Sequence, residues 1–424
     1  MRGTVVALTA AVVCFGCGEG GSPDSSSPSK WDGSITTEGN VTTVVNKSGS
    51  VWGSDAVLVE EASIGVLEGA EEYMLGAVSS VAYDGERIVV ADRQVPAVRI
   101  YDAVGTYLSD LGGVGEGPGE YQSPASVVVA NDGRILVRDD RGRRILIYAA
   151  NGDYLESYRL EGGLQTGAQM QVTADGTPYT IVIVETLEND PSRLWILGMQ
   201  AHGPDGPYGE PIVPPIQELS EGVLVARREG STSMNGVPFW PTESWTMTAA
   251  LDVISGVATE YRFEMRRADG SRLVVQHQST PAAVQPDETD WYRRRATAQM
   301  RSTDPSWVWN GPEIPATKPA FARLISSRSG EIWVLRSGSG ERIVPCNEDA
   351  ETPQEFSAEP CWRERSTFDV FGPDGRYLGA IEVPPDMNLY PPPYVDGDTV
   401  IARVEDGYGT ISVKRFRRIR PDTT

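Results

Sequence analysis

The sequence predicts an all-β protein: a single six-bladed β-propeller whose blades are four-stranded antiparallel sheets. Three observations carry this expectation. A module recurs at fixed spacing, with Ile88 and Ile135, Asp92 and Asp139, Tyr101 and Tyr148, and Gly105 and Gly152 each 47 residues apart. Within a module, short apolar runs are separated by Asp-Gly or Asn-Gly pairs, which supply the positive φ of tight hairpin turns. Runs such as Ile88 to Ala91 and Ile135 to Val137 lack alternation, as strands covered on both faces do. One small sheet cannot cover both its own faces, whereas sheets stacked face to face around an axis cover one another.

Taken from the N-terminus, Met1-Arg2 precedes an apolar run from Thr4 to Gly16, the length of a secretory core segment and too short for a membrane span. Phe15-Gly16-Cys17 then opens into Gly18-Glu19-Gly20-Gly21-Ser22-Pro23, which resembles a bacterial lipoprotein signal. That resemblance implies removal of residues 1–16 and lipidation of Cys17, so that the protein is exported and anchored in the cell envelope, at the outer membrane or periplasmic face. A plain secretory peptide is the alternative, and it too takes the chain out of the cytoplasm. Residues 17–40, with Ser25-Ser26-Ser27-Pro28, read as a flexible tether, and 41–420 as one propeller domain.

The modules follow in order. The first spans 79–111 and the second 126–160, with turns at Asp132-Gly133 and Asn151-Gly152. A third begins at Val172 to Gly176 and contains Leu194-Trp195-Ile196-Leu197 and Asp205-Gly206. A fourth holds Trp245 to Leu251, Thr259 to Phe263 and Asp269-Gly270. The fifth is clear: Ala322 to Ser326, Ser329-Gly330, Glu331 to Leu335, Thr367 to Phe371, Asp374-Gly375 and Tyr377 to Val383. The sixth, Asp398 to Val404 and Thr410 to Phe416, lacks a strand, which Val41 to Val45 or Val57 to Glu60 would supply. Closure by strands from opposite chain ends removes an exposed edge. Six blades result, with seven as the rival count. Residues 285–301 interrupt the β pattern with helical composition, acids in the first turns and cations after them, and read as a helix inserted in the fourth blade.

Composition limits the function. Thirty-seven basic against 59 acidic residues give a formal charge of −22, which opposes a nucleic-acid partner because phosphate binding needs Lys and Arg on one face. No Gly-x-Ser-x-Gly or His-Glu-x-x-His motif occurs, and two histidines are too few for a zinc cluster. Of four cysteines, Cys14 leaves with the signal and Cys17 carries lipid, so Cys346 and Cys361 remain as a disulfide pair. The segment they enclose, Asn347 to Phe356, reads as an acidic insertion projecting from blade five.

The segment Gly112-Gly-Val-Gly-Glu-Gly-Pro-Gly-Glu-Tyr-Gln-Ser-Pro124 lies between two modules, of which the first reads Asp-Gly, apolar run, Ala-Asp-Arg, Arg-Ile-Tyr-Asp, Gly. On these residues the chain resembles the bacterial six-bladed β-propeller lipoproteins related to NHL repeats, strongly over 79–160 and 317–383. The resemblance implies a fold and an exported location but no single chemistry. Related gluconolactonase-type hydrolases keep a divalent ion in the channel, which makes Asp92, Asp139 and Asp140, at strand ends, candidates for calcium; otherwise they are turn residues. Trp240, Trp245, Trp291 and Tyr292 are candidate ligand or partner contacts because flat aromatic surfaces stack on sugars and anchor interfaces. His277, on a strand, is the remaining candidate; His202, beside Gly203-Pro204, reads as a turn residue. The leading expectation is a non-enzymatic binding or scaffold protein for a protein, peptide or glycan ligand, touching membrane only through its lipid and needing no cofactor. The alternative is a hydrolase or lyase with a divalent cation in the channel.

Overall fold

A computed structural model describes residues 30–161, 170–186, 195–215, 222–358 and 360–420. Six sheets form a closed ring. Blade 1 comprises Val78–Tyr83, Arg87–Asp92, Ala97–Asp102 and Tyr107–Asp110. Blade 2 comprises Pro124–Val129, Ile135–Asp139, Arg144–Tyr148 and Tyr154–Arg159. Blade 3 runs through Gln171–Val172, Pro178–Thr186, Trp195–Gly203 and Gly206–Ile212. Blade 4 is built from Glu243–Met247, Val253–Val257, Arg262–Arg266 and Arg272–His277. Blade 5 holds Arg323–Ser326, Ile332–Arg342, Trp362–Phe371 and Tyr377–Glu382. Blade 6 holds Tyr394–Asp396, Thr399–Glu405 and Ile411–Ile419, and its fourth strand is Val57–Ile64 from the other end of the chain. Of the two strands expected to close the ring, the later one does so, antiparallel to the last strand.

The core lies between blades, as mutual covering requires. Val89, Val98 and Ile100 of blade 1 meet Val127, Ile135 and Val137 of blade 2. Phe263 and Val275 of blade 4 meet Phe321, Val334 and Phe371 at blade 5, and Trp333 and Phe368 of blade 5 meet Val400 and Phe416 of blade 6. The first strand of every blade is innermost and the last is outermost.

The remaining expected strand, Val41–Ser48, takes a different place. It lies parallel to Arg272–His277 and extends blade 4 outward, and the strand Asp32–Glu38 pairs with it through a turn in which Gly39 has φ +60°. Ordered sheet therefore begins inside the stretch expected to be tether. From this hairpin residues 51–56 run along the outer strand of blade 5, with Trp52 N–H donating to the Leu378 carbonyl and Ala56 N–H to the Ala380 carbonyl, before entering blade 6. The N-terminal segment is thus a strap over three blades.

Helix α1, Pro286–Arg301, occupies the expected span but lies between blades 4 and 5, after the last strand of blade 4. Its N-terminus is closed by a capping box of Gln285 and Glu288. The Cys346–Cys361 disulfide is present. The segment it encloses does not project freely: it forms the short helix α2, Pro353–Ala358, whose buried Phe356 packs against Trp291 of α1. Trp291 of α1 and Phe356 of α2 thus cover each other, whereas Ala296 and Met300 further along α1 pack with Leu224, Ala226 and Val237. Among the described residues no helix is long and apolar enough to cross a membrane.

Candidate functional site

Innermost strands of neighbouring blades splay too far apart to hydrogen-bond as a ladder, and side chains bridge them instead. Ser80 Oγ accepts from Val127 N–H at 3.1 Å, Ser126 Oγ from Met170 N–H at 2.9 Å, and Ser244 Oγ from Leu324 N–H at 2.9 Å. The Thr246 and Ser326 hydroxyls lie 3.3 Å apart. This stitching leaves an axial cavity of about 510 Å³ to which all six inner strands contribute. Its lining includes the apolar Val81, Val127, Met199 and Ile325 and the indole-bearing Trp245; its charged groups are Glu243, Arg323 and Arg328.

The two arginines flank the inner strand of blade 5: Arg323 begins it and Arg328 lies in the turn beyond its end. Arg328, in the first turn of blade 5, reaches across the ring to blade 2, where it donates to the Val129 carbonyl at 3.0 Å and to Asn131 Oδ1. Because blades 5 and 2 face each other across the axis, this contact is a bar over one channel mouth. Arg323 lies towards the other mouth, beside Pro392, Pro393 and the exposed Tyr390. Its Nη1 donates to the Leu389 carbonyl at 2.7 Å, and burial, partly offset by Tyr390, pulls its pKa below the usual arginine range.

Of the residues singled out in the sequence, Trp245 alone lines this cavity. The three aspartates are each engaged by other groups. Asp92 accepts from the N–H groups of Gly76, Ala77, Gln94 and Val95, clamping the entry of its blade to the following turn. Asp139, fully buried, does the same with Gln122 and Ser123 N–H. Asp140 bridges Arg93 and Arg138, each at 2.7 Å. Repetition of this clamp in both blades explains the 47-residue spacing, and lone pairs already occupied by N–H donors are poor calcium ligands. Among the described residues no three His, Cys, Asp or Glu side chains converge on a point.

His277 sits apart, on the outer strand of blade 4. Its ring packs 4.5 Å from Tyr377 and 4.9 Å from Tyr261, and burial lowers its pKa. Beneath it Asp369 accepts from Tyr261 Oη at 2.6 Å and from Arg336 Nε at 2.9 Å, tying blades 4 and 5 together. A separate surface hollow beside Thr259, Gln278 and Thr280 exposes one edge of this cluster.

The other aromatic candidates are packing residues. Trp291 is 3% exposed and covers Phe356 and the disulfide. The Tyr292 ring packs edge-on against Phe239 at 4.7 Å. Trp240 lies under the hairpin Val223–Arg228/Ser231–Gly236, with Val237 and Met300. Lys318 anchors α1 here: wholly buried, it pairs with the equally buried Glu288, with Glu364 at 2.9 Å and with the face of Phe239 at 3.6 Å.

Arg323 and Arg328 were not singled out in the sequence, yet a signal exists. Seven residues before the turn glycine Gly133, blade 2 has Ser126; seven before Gly330, blade 5 has Arg323. An arginine standing where a sister blade has a stitching serine is a departure from the repeat, and such departures mark positions released from the common structural task.

Residues 38–173 match a family model described as a 6-bladed beta-propeller. No curated protein matches the chain. Similar solved structures include a member of the DUF4221 family from Bacteroides vulgatus, with 10% identity over 87% of this chain and 99% of that one and a TM-score of 0.49. A virginiamycin B lyase from Staphylococcus aureus, in complex with quinupristin, has 9% identity over 81% of this chain and 95% of the other, TM-score 0.34. A gluconolactonase from Xanthomonas campestris has 13% identity over 84% and 87%, TM-score 0.34. The architecture is that of a six-bladed β-propeller with four-stranded antiparallel blades.

Proposed function

We propose that this chain is an exported, lipid-anchored binding protein that holds a small ligand in its central channel without transforming it. The observation that carries the reading is the cavity itself. Its volume of about 510 Å³ falls within the ordinary range of roughly 300–1,000 Å³ for small-molecule sites, and it combines an apolar wall bearing one tryptophan with a few polar groups. Export is supported by the apolar run before Cys17 and by the disulfide, which persists in oxidising compartments. Cys17 lies outside the described residues. Asp92 and Asp139 are engaged by backbone N–H groups and Asp140 by Arg93 and Arg138, and none of the three lines the channel, so no hydrolytic step is derived through a cation there.

The test is equilibrium dialysis of the full exported chain against a small-molecule extract, read by mass spectrometry. The wild type retains a compound of unchanged mass and Trp245→Ala does not. Equal retention by Trp245→Ala removes the channel as the seat, and appearance of a new product mass removes the non-enzymatic reading. On the same material, a diacylglycerol-bearing N-terminal peptide at Cys17, absent from Cys17→Ser, supports the anchor; an unmodified Cys17 on a cleaved chain excludes it.

A further inference from the structure

We propose that the channel selects a small monocarboxylate with an apolar, ring-bearing body, the carboxylate seated on Arg323 and the body against Trp245. This rests on the channel reading above and adds its chemistry.

Arg323 is the central observation. In a chain of net charge −22, its guanidinium lines the cavity with a backbone carbonyl as partner, and it forms no ion pair among the described residues. A carbonyl satisfies one N–H but does not neutralise the charge. Burial has removed water from that charge, so a bound anion restores what desolvation took away. Nη1 being occupied by Leu389, the Nε and Nη2 edge remains. That edge presents two parallel N–H groups, the geometry a planar carboxylate accepts side-on.

The neighbours narrow the class. Arg328 lies beyond the end of that strand, in the turn that follows it, and its guanidinium is held across the ring on the Val129 carbonyl and Asn131 Oδ1. The second positive charge of the lining therefore sits at the far mouth, away from a head group seated on Arg323. Glu243 lines the same wall, level with Arg323 by the register that Ser244 and Leu324 set, and repels excess negative charge. One guanidinium beside one carboxylate side chain suits a singly charged head and disfavours phosphate.

The body follows from depth. Trp245 lies two residues deeper than Glu243, about 7 Å along the strand, and shares the lining with Val127, Met199 and Ile325, where an indole supplies a flat apolar surface. Since the Arg328–Asn131 bar covers the far mouth, a ligand enters from the Tyr390 side, ring first, and leaves its carboxylate at Arg323.

Matched probe pairs separate the two levels of the claim: benzoate against benzamide, and indole-3-acetate against indole-3-acetamide, titrated into the full chain by calorimetry. The acids bind at least tenfold more tightly than their amides, and added KCl weakens the acids only. Arg323→Gln abolishes that preference while still binding the amides, which shows that the channel is folded; Arg323→Lys restores part of it. Arg417→Gln, which removes a charge from the outer face of blade 6, leaves the preference intact. Acids and amides binding alike overturns the carboxylate assignment and leaves the channel reading standing. Inorganic phosphate displacing the acids at equal concentration overturns the monoanion. No member of either pair binding overturns both readings.

Discussion

At the scale of single residues, His202 shows what burial does to a titratable group. It is 1% exposed; its Nε2 lies 2.8 Å from the Thr180 hydroxyl and its Nδ1 is buried without a partner. Desolvation first, and the nearby Arg138 charge second, lower its pKa to about 4 from the usual 6.5. The folded state thus prefers the neutral ring. Stability from this group is complete above pH 6.5 and falls as pH drops towards 4, because the unfolded chain takes up the proton first. At 1.36 kcal/mol per unit, about 2 kcal/mol is lost by pH 5, above the range of the carboxylates whose pKa is lowered. Urea titrations at pH 7.5 and pH 5 are expected to show that loss in the wild type and a loss smaller by about that amount in His202→Gln and in His202→Phe, which keep only the share of His277; a loss equal to the wild type's in both variants would refute the assignment. Little of this was legible in the sequence, where Gly203-Pro204 reads as a turn while the residue lies within the strand Trp195–Gly203. Trp245 and Trp291 were equally indistinguishable by composition. Which tryptophan faces a cavity depends on long-range blade packing, and no local pattern encodes that.

Among the elements, the N-terminal hairpin is the one that composition hides. Its first half, Asp32 to Asn40, is polar and follows a Ser- and Pro-rich run, so it looks like more tether, while Val41 to Val45 reads as a strand that closes the ring. Its pairing partners, Arg272 to His277, are more than two hundred residues away, and a parallel addition to an outer edge leaves no turn signal. By contrast Asp-Gly turns and apolar runs wrote the first, second and fifth blades plainly, because a meander is encoded locally. What fastens the hairpin is Asn46. Its side-chain oxygen accepts from Trp31 Nε1 and from Tyr377 N–H, both at 2.7 Å, while its nitrogen donates to the carbonyls of Gln276 at 3.2 Å and Gly375 at 3.1 Å. One amide thereby joins the strap, blade 4 and blade 5. Asn46→Ala strands buried backbone groups and is expected to cost about 2–4 kcal/mol. Asn46→Asp keeps the acceptor but cannot donate, so it is expected to destabilise too, although its volume is nearly unchanged. Measured midpoints in urea decide this: an Asn46→Asp protein as stable as wild type would show that the two donated bonds contribute nothing.

The whole molecule depends on where the ring is closed. Blade 6 is incomplete without Val57–Ile64, whose register along Val413 to Ile419 is reinforced by Lys414 with Glu60 and Arg415 with Glu61, each at 2.8 Å. Sequence reading reached the closure and left the strand undecided, since Val41 to Val45 and Val57 to Glu60 are alike in β-branched content. Pairing with the C-terminal strand separates them, and a paired truncation turns that difference into a measurement. A chain beginning at Gly49 loses the hairpin on blade 4 but keeps every strand of the ring, so it is expected to unfold in one cooperative transition at lower denaturant than the full protein. A chain beginning at Gly65 exposes the backbone edge of Ile411–Ile419 and removes Ile64 from the seam it shares with Val81, Ile88 and Val413. With blades 1 and 6 no longer bridged by the chain's two ends, it is expected to lose cooperative unfolding and to associate through the bare edge. Adding the Val57–Ile64 peptide in trans restores the transition if the edge is the cause. Cooperative, monomeric unfolding of the Gly65 chain without peptide would show that the seam holds by side-chain packing alone, and that closure by the N-terminal strand is dispensable.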